Sequence, residues 1–152
     1  MFVSCFVRKG VVYRPIWAKD TNGLYVAVEP VAVVQVGDAE GLRRAFHDAV
    51  AFGTPIVPAV PWQEKQKRLP VVFKYAGVKS LSVFQRDTFP IDISERDGTF
   101  KIVVQRRRRP YPGWEDDPDQ TFILPPGSTL HNAIDRAIQL IQEKSRAQTA
   151  GA

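Results

Sequence analysis

The segment Pro15-Ile16-Trp17-Ala18-Lys19, a turn over Asp20 to Gly23 and the run Leu24 to Val28 has an echo in the second half of the chain. There Pro90-Ile91-Asp92-Ile93-Ser94 precedes a turn over Glu95 to Gly98 and the run Thr99 to Val103. Each copy continues into a further β-rich run and then an amphipathic helical stretch. The echo predicts an α+β fold: one domain of two repeated ββ(β)α units, a mostly antiparallel sheet with amphipathic helices packed on it. The domain is expected over residues 1–143, with repeat one at about 11–53, a connector at 54–70, repeat two at about 71–143 and a frayed tail at 144–152. Duplication of this kind accounts for a fold and leaves the chemistry open.

Local signals place the elements. Phe2 to Val7 and Val11 to Ala18 are rich in β-branched and aromatic residues, which suit a half-buried pleated surface. Lys9-Gly10 is read as the turn between them, and Thr21-Asn22-Gly23 as the next. Pro30 lacks an N–H and is expected to interrupt ladder pairing, so Val31 to Val36 is read as a separate, largely buried strand. From Ala39 the period changes: Leu42, Phe46, Ala49 and Val50 recur at helical spacing, Asp38 caps the start and Gly53 the end. The connector holds Pro55, Pro58, Pro61 and Pro70 with Trp62 among them, followed by a solvated basic loop from Gln63 to Arg68. Val71 to Tyr75 is read as a strand, and Val78 to Arg86 as a short helix capped by Ser80. Asp97-Gly98 marks a tight hairpin within Pro90 to Gln105. After the strand Phe122 to Leu124, Ser128 or Thr129 caps a last helix whose stripe is Leu130, Ala133, Ile134, Ala137, Ile138 and Ile141.

Composition excludes several classes of protein. The 44% hydrophobic and 24% charged fractions of the 152 residues are globular. No apolar run approaches the roughly 18 to 20 residues that span a bilayer. Met1 to Gly10 lacks the basic-then-apolar order of a secretory leader, so the cytoplasm is the expected compartment. Cys5, the lone cysteine, can form no internal disulfide and cannot by itself build a thiolate zinc site. His47 and His131 fall on predicted helices, and neither is placed beside that thiol. No metal, cofactor or membrane is expected. The net charge of +5 is uneven: Lys and Arg against Asp and Glu number 6 and 5 in residues 1–61, 12 and 5 in 62–109, and 3 and 6 in 110–152.

The densest functional candidates lie where that excess ends. Arg106, Arg107, Arg108 and Arg109 are followed by Tyr111, Trp114 and the acids Glu115, Asp116 and Asp117. Arginine beside exposed aromatics binds phosphate and stacks on bases, so the hairpin 105–114 is one candidate contact for nucleic acid. A solvated hairpin end holds four arginines equally well, and the adjacent acids neutralise them. Asp116-Asp117 invites an acid–base reading, but Pro110, Pro112 and Gly113 put the pair in a solvated loop with no reacting atom between them. The sequence has no phosphate-cradling glycine loop and no hydrolase nucleophile elbow, and the chain is read as a non-enzyme.

Lys74-Tyr75-Ala76-Gly77-Val78-Lys79-Ser80, Gly98 with Phe100, Gly113-Trp114-Glu115-Asp116-Asp117-Pro118 and Leu124-Pro125-Pro126-Gly127 together resemble a group of small bacterial proteins of unassigned function. That resemblance covers most of residues 15–143. Over residues 70–143 the Trp-Glu pair, short strand, Leu-Pro step and terminal helix look, more loosely, like immunity proteins of polymorphic-toxin and contact-dependent growth inhibition systems. The resemblance implies a non-catalytic protein that binds and blocks a cognate toxin. The alternative function is a nucleic-acid-binding module. Residues 106–109, Tyr111, Trp114 and 115–117 are the expected partner contacts, with Tyr111, Trp114 and Arg109 as anchors whose loss weakens binding without much loss of stability.

Overall fold

Two three-stranded meanders meet edge to edge in the computed structural model, which describes residues 1–150. The first comprises β1 (Phe2–Arg8), β2 (Val11–Asp20) and β3 (Tyr25–Gln35); the second comprises β5 (Thr88–Arg96), β6 (Thr99–Arg107) and β7 (Trp114–Ile123). Strand order is β3-β2-β1-β5-β6-β7, with every neighbouring pair antiparallel. The halves join where β1 pairs β5 from Phe2 opposite Ser94 to Arg8 opposite Thr88. A two-residue strand, β4 (Ile56–Val57), adds parallel to the end of β2. Each meander ends in a long helix, α1 (Ala39–Phe52) or α5 (Leu130–Ala150). Between the halves lie α2 (Trp62–Lys65), α3 (Val71–Ala76) and α4 (Leu81–Arg86).

This order differs from the sequence echo, which aligned β2–β3 with β5–β6. The strand order sets β1 against β5 and makes the β1–β2 and β5–β6 turns the corresponding ones. Both are two-residue turns with left-handed backbone: φ is 49° and 77° at Lys9-Gly10, and 53° and 78° at Asp97-Gly98. The Asp20–Gly23 turn is longer and is closed differently. The Asp20 carboxylate accepts from the N–H groups of Asn22 at 2.9 Å and Leu24 at 3.0 Å, and only Gly23 has positive φ. The two turns expected to be equivalent are therefore built on different principles.

One face of the sheet is sealed by the two long helices. Asp38 accepts from Gly41 N–H at 2.9 Å to start α1, and Gly53, at φ 79°, stops it. Thr129 and Asn132 cap α5 reciprocally: each side-chain oxygen accepts from the other's backbone N–H, at 3.2 and 2.9 Å. The stripes Leu42, Ala45, Phe46, Ala49 and Ala133, Ile134, Ala137, Ile138, Leu140, Ile141 are buried. They pack on Val3, Cys5, Val7, Val12, Ile16, Phe89, Ile91, Ile93, Ile102 and Val104, the alternate residues of four strands. Arg43 of α1 donates to Asp135 of α5 at 2.8 Å, tying the helices together.

Several local expectations are corrected. β3 runs through Pro30 as one strand, with pairing displaced between Arg14 and Ile16 to accommodate the missing donor. Its second half is half-buried, with Val33 50% exposed, because β3 is an edge. Val71–Ala76 is a helix: Pro70 precedes it and Gly77, left-handed at φ 69°, ends it, and this bracketing outweighs the β-branched pair Val71-Val72. The connector holds β4 and α2, so it is neither uniformly extended nor, from Gln63 to Lys65, a loop. Asp116 and Asp117 lie within β7. The tail expected to fray continues α5 as far as Ala150, past its last buried residue Ile141, because Gln, Glu, Lys, Arg and Ala favour helix without a packed face. Residues 151–152 of that tail lie outside the described residues. Among the described residues no helix is long and apolar enough to cross a membrane.

Candidate functional site

The arginine run straddles the end of β6. Arg106 pairs across the ladder with Glu115 and Arg107 with Trp114, leaving 108–113 as the connecting loop. Arg106 is occupied by both acids it faces: Nε lies 3.3 Å from Glu115 Oε1 and Nη1 lies 3.7 Å from Asp117 Oδ1. Asp116 accepts from Gln105 Nε2 at 3.1 Å. Arg108 closes the loop on itself, donating to Pro112 O at 2.8 Å with its guanidinium 6.0 Å from the Tyr111 ring centre. Among the described residues Arg107 and Arg109 have no carboxylate partner. Tyr111 is 68% exposed.

Trp114 is placed differently from the other candidates. Its half-buried indole packs against Phe6, centre to centre 5.6 Å, and edge-on to Phe84 at 6.0 Å. Its Nε1 donates to Thr88 O at 3.2 Å. The neighbouring Gly113 N–H donates to the buried Gln85 side chain at 2.9 Å. Trp114 and Gln85 thus pin the loop to the sheet, and the exposed, uncommitted side chains are Arg107, Arg109 and Tyr111. Of the nine candidates, six are engaged in holding the strand ends together.

The pinned indole belongs to the face of the sheet away from α1 and α5. Tyr13, Val72, Phe73, Val78 and Phe84 form a second, smaller core there, joined by Phe6, Val11, Val31 and Trp114. Buried polar groups accompany it. Arg8 donates to the carbonyl oxygens of Val83 at 3.3 Å and Phe84 at 3.2 Å, and pairs with Asp87 at 3.6 Å. Asp92 accepts from Gln105 Nε2 at 3.1 Å, so one amide bridges Asp92 and Asp116. Burial pushes the Asp92 carboxyl up to about 6, against the opposing pull of its hydrogen bond with Ser4. These groups knit β1, β5, β6 and β7 together and aim at no open site.

α3 and α4 are one and a half turns each and cover only part of this face. Beside them opens a cleft of about 830 Å³, lined among others by Phe6, Trp17, Tyr25, Val57, Leu69 and Trp114. Its lip exposes large apolar side chains: Leu69 is 57% exposed and Tyr25 45%. In the sequence this cleft is hidden, because residues 54–70 read as a connector. A legible signal is Val57, Val60 and Leu69, apolar residues scattered through an otherwise polar and proline-rich stretch.

Elsewhere the titratable groups are structural. Cys5 is fully buried and burial drives its thiol far above the ordinary range, away from nucleophilic use. The rings of His47 and His131 stack with centres 6.2 Å apart between α1 and α5, and His131 lies 3.1 Å from Asp135.

No family model matches the chain, and no curated protein is similar to it in sequence. Solved structures share its fold. A protein of unknown function from Neisseria meningitidis aligns with a TM-score of 0.64 at 14% identity, over 94% of this chain and 93% of that one. A chain of a CdiA-CT/CdiI toxin and immunity complex from Yersinia pseudotuberculosis aligns with a TM-score of 0.62 at 10% identity, over 94% and 95%.

Proposed function

We propose that this chain is an immunity protein: a non-catalytic, cytoplasmic binder that neutralises a bacterial toxin by occluding it. The observation that carries this reading is the fold shared along 94% of the chain with a chain of a toxin and immunity complex. The resemblance noted in the second half of the sequence extends, at the level of fold, to both halves. Occlusion needs affinity and a rigid surface and no reacting group. A Kd near 1 nM corresponds to about 12 kcal/mol, within reach of an ordinary interface with a few well-buried anchors.

Within the arginine hairpin, Arg107, Arg109 and Tyr111 are the side chains free to meet a partner, since Arg106 and Arg108 are already engaged. That engagement weakens the nucleic-acid alternative, because a guanidinium held by two carboxylates must break those pairs before it meets a phosphate.

The test is coexpression with the toxin domain encoded beside the gene. The expected outcome is survival of cells that otherwise die, with recovery of a stoichiometric complex. Loss of survival, or a turnover activity in the purified protein, overturns the reading.

A further inference from the structure

We infer that the cleft beside α3 and α4 is the toxin-binding site, and that it receives a segment of the toxin combining large apolar side chains with carboxylates. The inference rests on the immunity reading for the identity of the partner, and on the cleft itself for the chemistry. Phe6, Trp17, Tyr25, Val57 and Trp114 supply an apolar floor and walls. A side chain inserted there is desolvated on several sides, the setting in which binding energy concentrates.

The occupant is a protein segment because the apolar surface continues beyond the cavity. Leu69 and Tyr25 of the lining are themselves 57% and 45% exposed, and Leu24 at 55% adjoins Tyr25 in the chain. A small ligand filling 830 Å³ leaves those lip residues in water, whereas a polypeptide laid across the opening covers them.

The carboxylates follow from charge. The charged side chains that line the cleft are Asp20, Glu29, Lys65 and Arg68. The acids that line the cleft are spent internally: Asp20 on the N–H groups of its own turn, and Glu29 on Lys74. Glu64 is 3.5 Å from Arg68. Among the described residues Lys65 and Lys67 have no carboxylate partner, and Lys19 Nζ is held 5.2 Å from the Tyr25 ring centre. The charge left uncommitted on the lining is therefore that of Lys65, complementary to a carboxylate of an acidic and apolar segment and repulsive to a basic one.

The experiment has two arms, both with the full chain. In the first, random dodecapeptides displayed on phage are selected on the wild type. The recovered peptides should pair Phe, Trp or Leu with Asp or Glu. Their affinity should fall at least about tenfold on Leu69→Asp, an exposed lining position whose variant is checked to keep its melting temperature. Lys65→Glu with Lys67→Glu should weaken the same peptides and remove the salt dependence of their association. Peptides lacking acids, peptides indifferent to these substitutions, or saturable binding of oleate with no peptide recovered would overturn the inference.

In the second arm the same variants meet the toxin domain encoded beside the gene, with a loss of about a hundredfold expected for Leu69→Asp. Toxin bound equally by wild type and cleft variants overturns the cleft and leaves the immunity reading standing. Cleft-binding peptides with no toxin binding by the wild type overturn the immunity reading and the toxin as occupant, while the cleft's preference for acidic, apolar segments stands.

Discussion

The two faces of the sheet are covered in opposite ways. On one, α1 and α5 lay continuous apolar stripes over the inward residues of four strands, and the result is a closed core. On the other, two six-residue helices and a proline-rich connector cover part of the surface, leaving a cleft and burying Arg8 against Phe84. Long helices bury many residues for each ordered turn; short ones bury few and leave backbone to be satisfied by side chains such as Arg8. The first face holds the molecule together, and the second leaves a cleft open.

The sharpest way to break this contrast is to attack the sealed face. Ile138→Asp places an unpaired carboxylate under α5, at a cost of several kcal/mol against a total stability of roughly 5 to 15 kcal/mol, and should unfold the protein. Circular dichroism on heating reads the outcome; an unchanged melting temperature would show that the helix does not seal the core.

On the partly covered face, Trp114→Ala should cost about 2 to 3 kcal/mol, because the indole fills the space between Phe6 and Phe84 and donates to Thr88. Urea denaturation measures it. A loss below about 0.5 kcal/mol would restore Trp114 as a free anchor, as its sequence position first suggested.

Asp92 separates the faces by pH. Its carboxyl is raised from 3.8 to about 6 in the folded protein, chiefly by burial. Its stabilising contribution is therefore complete below pH 3.8 and is lost as pH rises through about 6. Asp92→Asn, which keeps an acceptor for Gln105 without the charge, should stabilise the protein by roughly 3 kcal/mol at neutral pH. The gain should shrink to nothing near pH 4, a profile readable from melting temperatures across that range. A gain independent of pH would mean that packing, not charge, governs the site.

The smallest effect belongs to the exposed apolar residues of the connector. Ile56→Ser and Trp62→Ser should each change stability by less than about 0.5 kcal/mol, since both side chains stand in water. A larger loss in chemical denaturation would show that these connector side chains support the fold.

Much of this architecture was legible in the residues, and the failures share a cause. Asp38, Gly53, Ser80 and the Asp97-Gly98 turn announced themselves, because caps and tight turns are contacts between near neighbours. The stripe from Leu130 to Ile141 read correctly for the same reason. Val71–Ala76 was misread as a strand since two β-branched residues outvoted the flanking Pro70 and Gly77. Trp114 looked exposed because its partners, Phe6 and Phe84, are remote in the chain.

By itself the sequence determined the α+β class, the hairpin turns, the two amphipathic helices and the uneven charge, all of which depend on periodicity and on interactions a few residues long. Tertiary structure decided that β1 pairs with β5, which assigned the meanders and displaced the echo between β2 and β5. It also decided which arginines are occupied and where the cleft opens, since both depend on strand register and on how much sheet two short helices can cover. Those quantities arise only when segments distant in the chain are packed against one another.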